Sequence, residues 1–454
     1  MDATFPLENS SERSLDETIH TQNETAKPVD AVSRIKTIDV IRGVALFGIL
    51  LMNIPGFGID WGEIDKVRRG LQTTWDFRTL QVVSVFFEGT MRGLFSMLFG
   101  AGMILFTMNK TEAPGGPTIA ELYYRRLLLL VLFGVINAYV LLWTGDILFF
   151  YGIAGMVLYP FRKTAAKWLI LLSIAAIAIG MIKTQLWHNE TLEKRVEYRK
   201  AVKAEKEGNK LTEEQKQAKA AWLEMENFRP EPERSARNIS KMHSDYGTIF
   251  TYFIPRNSGT EAWGGYHGIW DSLCMMFLGM ALFQLGFFSN RLSTSTYLMG
   301  LIVGYGMGIP IGWTMFFEGD IGSLNMGRYF DAYTSSHWSL YDLKRVFLCL
   351  GHASLVILIF RSRIVPWLMR GLANVGQMAF TNYLMQSIIC TFFFFGYGFG
   401  YYNDLSYHQL YYVVSSVWIF QLIISSIWLR YYRFGPFEWL WRSLTYWKAQ
   451  PMRK

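Results

Sequence analysis

The stretch Arg34-Ile-Lys-Thr-Ile-Asp-Val-Ile-Arg-Gly-Val-Ala-Leu-Phe-Gly-Ile-Leu-Leu-Met-Asn53 decides how the rest of the sequence is interpreted. From Ile38 it has the composition of a membrane-spanning helix, yet it contains Asp39, Arg42 and Asn53. Asp39 and Arg42 are three residues apart and share a helical face, and Asn53 returns to that face roughly 16 Å further along the axis. A polar stripe inside a bilayer is unfavourable and typical of a functional site. The alternative is an anchor, in which Asp39 pairs with Arg42 at the headgroup level.

The composition is that of a membrane protein. The 454 residues are 51% hydrophobic and only 18% charged, with a net charge of +8, whereas soluble proteins are about 25% charged. A positive excess is expected on the cytoplasmic loops of such a protein, and no basic tract with interleaved aromatics occurs, so the sequence predicts no nucleic-acid partner. The three cysteines are scattered in apolar runs and form neither a disulfide framework nor a metal-binding motif.

The apolar runs predict an all-α polytopic transmembrane helix bundle of about ten spans. We place the spans near 38–58, 80–108, 125–143, 146–161, 166–187, 263–288, 294–317, 343–361, 373–397 and 409–430. Basic residues concentrate in alternate loops, which predicts that both termini are cytoplasmic.

Four parts of the chain follow from this pattern. Residues 1–33 are predicted to be a disordered cytoplasmic tail, 34–187 an N-terminal transmembrane module, and 188–262 a charged, helical, extracytoplasmic insert. Residues 263–454 form a C-terminal transmembrane module that ends in an amphipathic tail helix after Pro436. The insert is either a solvated surface or a lid over an outward-facing site. The tail helix either lies on the cytoplasmic membrane surface or docks over the mouth of the bundle.

Glycines recur every four residues in the seventh predicted span. The ladder consists of Gly300, Gly304, Gly308 and Gly312. Such spacing predicts close packing against a neighbouring helix.

Polar side chains within the predicted spans are the candidates for a site. Asp146 lies in a short loop that we expect near the outer membrane surface, as a helix cap or a binding residue, and Asn137 should face the bundle. His267 and Asp271 are four residues apart and could form an oriented acid–base pair. The ninth span carries Asn374, Gln377, Thr381, Asn382, Tyr383 and Gln386. These six side chains either hydrogen-bond to other helices or, as we prefer, line a substrate path.

Several motifs resemble the YeiB-like family of bacterial membrane proteins, which carry a C-terminal domain of unknown function. They are the opening Arg34–Asn53 stretch, Leu94–Gly102, Gly145–Gly152, Met378–Ser387 and Arg433–Thr445. The resemblance implies a multi-pass protein of the bacterial inner membrane.

The Asp-x-x-Arg-Gly start is also distantly similar to heparan-α-glucosaminide N-acetyltransferases and related membrane acyltransferases. In one branch a catalytic histidine follows the arginine of this helix, and Asn53 stands in its place here. No histidine lies between Ile54 and Phe87, so the base would come from elsewhere, with Glu63 or His267 as candidates.

This resemblance implies acyl transfer across the bundle. Acyl-CoA, such as acetyl-CoA, would enter from the cytoplasm and pair its phosphates with Arg42, Arg125 or Arg126. The acyl group would pass Asn53, Asp146 and the polar ninth span to a small-molecule acceptor at the outer face. Asp39 and Asp271 complete the candidate catalytic set. A small-solute transporter or a structural or signalling membrane protein is the alternative, and a homo-oligomer in the bilayer is compatible with each.

Overall fold

The computed structural model describes residues 35–108, 116–226, 232–319 and 326–454, except for the side chains of 263–267 and 318–319. The predicted disordered tail, 1–33, lies outside these ranges. Within them the regular structure is helical, apart from one isolated bridge between Tyr432 and Arg453. The protein is an all-α, polytopic membrane protein.

The α-helices are numbered in chain order. They are α1 (Lys36–Gly58), α2 (Trp61–Arg68), α3 (Thr74–Phe86), α4 (Thr90–Met108), α5 (Ile119–Val135), α6 (Leu148–Leu158), α7 (Ala166–Lys206), α8 (Glu213–Glu226), α9 (Pro232–Met242), α10 (Tyr246–Gly259), α11 (Gly265–Gln284), α12 (Thr294–Thr314), α13 (Met326–Ala332), α14 (Tyr341–Ser362), α15 (Pro366–Gln377), α16 (Ala379–Phe394), α17 (Leu410–Tyr431) and α18 (Pro436–Tyr446).

The described residues contain six helical segments that are long and apolar enough to cross a membrane, rather than the predicted ten or so. They are Lys36–Gly58, Thr74–Met108, Ala166–Lys206, Thr294–Phe317, His337–Ser362 and Tyr407–Tyr431. The fourth predicted span contains only the 11-residue helix α6, and the ninth is divided at Met378 into α15 and α16. Composition alone does not give the length of a helix, because an apolar run that forms two short helices can resemble one that forms a single long helix.

The first helix is central to the bundle. Helix α1 is mostly buried and packs against α4, α15, α16 and α17. It crosses α15 at close range, because a Cβ atom on Gly43 would lie 3.0 Å from the carbonyl carbon of Leu372. The predicted glycine ladder is confirmed as a packing surface, with α12 lying against α14 at Gly304 and Gly308.

The outer half of α7 organises the insert. This helix has 41 residues and continues without a break through Trp187 and His188, where the insert was predicted to begin. Trp222 of α8 and Phe330 of α13 form a small apolar core beside it, and Arg195 pairs with Asp331 at 2.7 Å. The insert is therefore a packed helical unit in its described part.

Candidate functional site

A cavity of about 260 Å³ opens between α1, α4, α5, α6, α15, α16 and α18. Its polar end is lined by Asp39, Arg42, Arg126, Gln377, Glu438 and Arg442. Its body is apolar, and Tyr151 and Tyr383 lie among the residues furthest from the polar end. Along α4 the lining runs from Phe106 to Phe95, which corresponds to about 16 Å of helix rise.

Three guanidinium groups meet two carboxylates at the polar end. Arg42 pairs with Asp39 at 3.1 Å, as the sequence predicts. The guanidinium carbon of Arg126 lies 4.0 Å from the ring centre of Trp441, and that of Arg442 lies 4.4 Å from the ring centre of Phe434. Arginine commonly stacks on aromatic rings and recognises phosphate and carboxylate groups through its planar fork.

Glu438 joins the tail helix to the bundle. Its carboxylate accepts hydrogen bonds from the N–H groups of Phe380 (2.7 Å) and Thr381 (3.0 Å), at the N-terminus of α16. The Thr381 hydroxyl donates to Glu438 and accepts from the N–H of Phe437 at 3.1 Å. Each helix therefore caps the N-terminus of the other. Of the two predicted placements of the tail helix, the structure has the one docked over the mouth of the bundle.

Docking of α18 is expected to weaken as the pH rises. Burial raises the pKa of Glu438 above its ordinary value of 4.5, although the hydrogen bonds to its carboxylate act in the opposite direction. The stability that this group contributes is complete below pH 4.5 and is lost as the pH rises through the raised pKa. Unfolding temperatures measured across this range should fall for the wild type relative to Glu438→Gln, which stays neutral. Parallel profiles of the two proteins would contradict the assignment.

Asp146, Asn137 and Tyr383 form a buried polar cluster at the far end of the cavity. The Asp146 carboxylate accepts from the Asn137 amide (2.8 Å), the Phe149 N–H (2.9 Å) and the Tyr383 hydroxyl (3.3 Å). The bond from Phe149 confirms the predicted capping of α6. Tyr383 also accepts from the N–H of Ile147 at 3.2 Å, so its hydroxyl is fixed between the backbone and the carboxylate.

Asp146 is buried at the N-terminus of a short helix, and its position near the outer membrane surface stays a prediction. Helix α6 has 11 residues and rises about 16 Å, roughly half of a ~30 Å hydrocarbon layer. The carboxylate at its N-terminus is only 6% exposed. The Asp146 side chain therefore faces the interior of the bundle.

The other predicted catalytic and donor-binding residues lie away from this cavity. Asn53 is half-buried but is not among the described residues that line it. Glu63 lines a separate cavity of about 170 Å³ and pairs with Lys66 at 2.6 Å. Arg125 lies outside the lining and pairs with Glu121 at 2.5 Å. The side chain of His267 lies outside the described part of the structure.

Asp271 belongs to a separate group of charges. Its carboxylate pairs with Arg92 at 2.8 Å and also with Arg345. The carboxylate is thus held by guanidinium groups from two other helices. The geometry therefore gives little support to Asp271 as the base of an acid–base pair.

The polar residues of the predicted ninth span divide into two groups. Gln377 and Tyr383 line the cavity, and Thr381 bonds to Glu438. The other three donate to α17 side chains: Asn374 to Ser426 (3.2 Å), Asn382 to Ser425 (3.0 Å) and Gln386 to Gln421 (3.0 Å). This second group makes the interhelical hydrogen bonds that the sequence left as the alternative to a substrate path.

Sequence reasoning missed a cluster of ionisable side chains inside the bundle. It comprises Glu88, Arg92, Asp342, Lys344 and Arg345, together with Asp271. The available signal was their position within or beside predicted apolar spans, since ionisable residues there are rare and commonly functional. No group of three His, Cys, Asp or Glu side chains that could hold a metal occurs among the described residues.

Comparison with known proteins shows what this chain is similar to. Residues 282–448 match the family model described as a protein of unknown function (DUF418). The chain is 28% identical to uncharacterized protein YxaH of Bacillus subtilis (strain 168) over 94% of its length and 98% of the relative. It is also 28% identical to uncharacterized protein YeiB of Escherichia coli (strain K12), over 92% and 98% of the two chains.

A third relative is the uncharacterized 39.9 kDa protein in the amylase 3' region of Bacillus acidopullulyticus. It is 24% identical over 94% of this chain and 97% of its own. No solved structure matches. The resemblance predicted from the sequence motifs is confirmed over nearly the full length.

Proposed function

We propose that this chain, a multi-pass membrane protein of the YeiB-like, DUF418 family, is an acyltransferase that uses acyl-CoA. The three relatives above are named only as uncharacterized. The observation that carries the proposal is the single cavity that joins three arginines to a buried Tyr383–Asp146 pair.

The two ends of the cavity match the two ends of an acyl-CoA. Arg42, Arg126 and Arg442 present guanidinium forks at the end that the charge distribution predicts to be cytoplasmic, where phosphate groups would bind. The apolar body, about 16 Å long, suits the narrow arm that carries the thioester. Its aromatic and aliphatic lining, including Phe95, Phe99 and Met103, would bury an acyl group.

The far end supplies groups for the transfer step. An acceptor hydroxyl or amine adds to the thioester carbonyl carbon, the carbon–sulfur bond breaks, and CoA leaves as a thiol after taking up the proton that the acceptor loses. The Tyr383 hydroxyl lines the cavity and donates to Asp146, so the pair can relay that proton. Glu63 lines a different cavity and is less well placed for this role.

Two adjacent arginines allow a matched test of donor binding. Arg126→Gln is expected to weaken CoA binding about tenfold or more, because it removes a charge-assisted contact worth ~1.5–3 kcal/mol. Arg125→Gln removes the same charge one residue away, outside the cavity, and should leave the affinity within about twofold. Calorimetric titration of the purified proteins with CoA and acetyl-CoA measures both. Equal losses in the two variants would refute the assignment of the cavity as the donor site.

Solute export is the alternative, because a cavity that follows the long axis of α4 would also suit a transport path. The fate of the thioester distinguishes the two functions. Proteoliposomes supplied with radiolabelled acetyl-CoA and an extract of envelope components should release free CoA thiol and a labelled product if transfer occurs. Uptake of intact acetyl-CoA with no thiol release would favour export.

A further inference from the structure

The face of α4 that lines the cavity continues beyond the cavity floor. Phe106, Gly102, Phe99 and Phe95 line it at spacings of three and four residues, which keeps them on one helical face. Arg92 is three residues beyond Phe95 and continues that face. Tyr151 belongs to the floor, and its hydroxyl donates to the carbonyl of Arg92 at 2.9 Å.

Arg92 belongs to a network of six ionisable side chains from three parts of the bundle. Three are cationic and three anionic, and they are Glu88, Arg92, Asp271, Asp342, Lys344 and Arg345. Arg92 pairs with Asp271 at 2.8 Å, and Arg345 pairs with both Asp271 and Asp342. Buried ion pairs add little net stability, and inside a membrane protein they commonly mark a path for substrates or ions.

The network is complete around Lys344 and incomplete around the two arginines. Lys344 is 1% exposed and donates to the Ser84 carbonyl (2.9 Å) and to Glu88 (3.2 Å). Arg345 is fully buried, yet its Nη2 atom has no hydrogen-bond partner in the described part of the chain. The Arg92 side chain is 44% exposed although it lies beside the fully buried Arg345. Most buried donors in native proteins are satisfied, because an unsatisfied one is destabilising, and this one therefore needs an explanation.

Resting on the function proposed above, we propose that Arg92 and Arg345 bind a carboxylate or phosphate group of the acceptor. The planar guanidinium fork fits such groups in a bidentate manner. The Tyr151–Ser96 hydrogen bond, at 2.6 Å, separates this anion site from the donor cavity. An acceptor held there by its anionic group would present a neighbouring hydroxyl or amine to the thioester from the side opposite the CoA phosphates.

Anion-dependent stability tests the site without knowledge of the natural acceptor. The purified full-length protein is heated in sodium phosphate or sodium acetate and, as reference, in sodium chloride of equal ionic strength. A ligand that binds the native state raises the unfolding temperature, and contributions from separate sites add. The arginines at the mouth also bind anions, so the decisive comparison is between Arg126→Gln and the same protein with Arg92→Lys added, because the mouth is identical in the two. The unfolding temperature of Arg126→Gln should still rise with phosphate or acetate.

Arg92→Lys provides the second arm, because it keeps the charge beside Asp271 and removes the fork. Its anion-dependent rise should be about half that of the wild type or less, and adding Arg92→Lys to Arg126→Gln should lower the rise of that variant by a similar amount. Equal rises in Arg126→Gln with and without Arg92→Lys would overturn the inference. If the unfolding temperature of Arg126→Gln does not rise with phosphate or acetate, the inference is wrong, even if the wild type binds acetyl-CoA. If the wild type does not bind acetyl-CoA but shows an anion-dependent rise that requires Arg92, the proposed function is wrong and the anion site is supported.

Discussion

Gly102→Leu is expected to abolish acyl-CoA binding while leaving the protein folded. Gly102 lines the cavity, and a Cβ atom built on it would have no other atom within 4 Å. Leucine also favours the helix by roughly 0.5–1 kcal/mol relative to glycine. Its side chain would instead occupy the apolar body of a cavity of about 260 Å³, between the arginines and the Tyr383 floor. A blocked passage should weaken binding by about 100-fold, or ~2.8 kcal/mol.

The matched control is Gly306→Leu on α12. A Cβ atom there also meets nothing within 4 Å, but Gly306 is exposed on the surface of the bundle and away from the cavity. Both variants should unfold near the wild-type temperature, and only Gly102→Leu should lose the heat of binding in calorimetric titration with acetyl-CoA. Unchanged affinity in folded Gly102→Leu would show that the donor binds elsewhere.

Gly304→Ala is expected to be strongly destabilising because α12 and α14 touch through their backbones. The added Cβ would lie 2.5 Å from the Gly351 nitrogen and 2.7 Å from the Phe347 carbonyl oxygen. Backbone atoms cannot move aside as a flexible side chain can, so the helices must separate along the ladder. Overpacking and lost contacts should lower the free energy of unfolding by about 3 kcal/mol, whereas the helix propensity of alanine should raise it by only ~1 kcal/mol. We therefore expect a net loss of about 2 kcal/mol.

Gly306→Ala serves as the control from the same helix, two residues away. It gains the same helix propensity without a contact, so its stability should equal or exceed that of the wild type. Unfolding titrations with dodecyl sulfate in mixed micelles measure both variants. A Gly304→Ala protein as stable as Gly306→Ala would mean that the two helices do not pack through this glycine.

The local parts of the site could be predicted from spacing. Asp39 and Arg42 pair because a helix brings residues three apart onto one face. Asp146 caps α6 because the first N–H groups of a helix have no partner within it. Spacing could not show that Glu438, at the other end of the chain, caps α16. Nor could it divide the polar residues of the ninth span between the cavity and α17, because both faces of that segment are buried in the bundle.

The sequence by itself determined the class of protein, the family, the pairs along single helices and the glycine surface, since these depend on composition and on short periodic spacings. The tertiary structure alone decided where the apolar helices begin and end, that Arg126 and Arg442 join Arg42 at one cavity, and that Arg92 meets Asp271 and Arg345. Those contacts join residues that are far apart in the chain. They depend on how the helices cross. The crossing is determined by the packing of side chains in three dimensions, and a pattern along the sequence does not contain it.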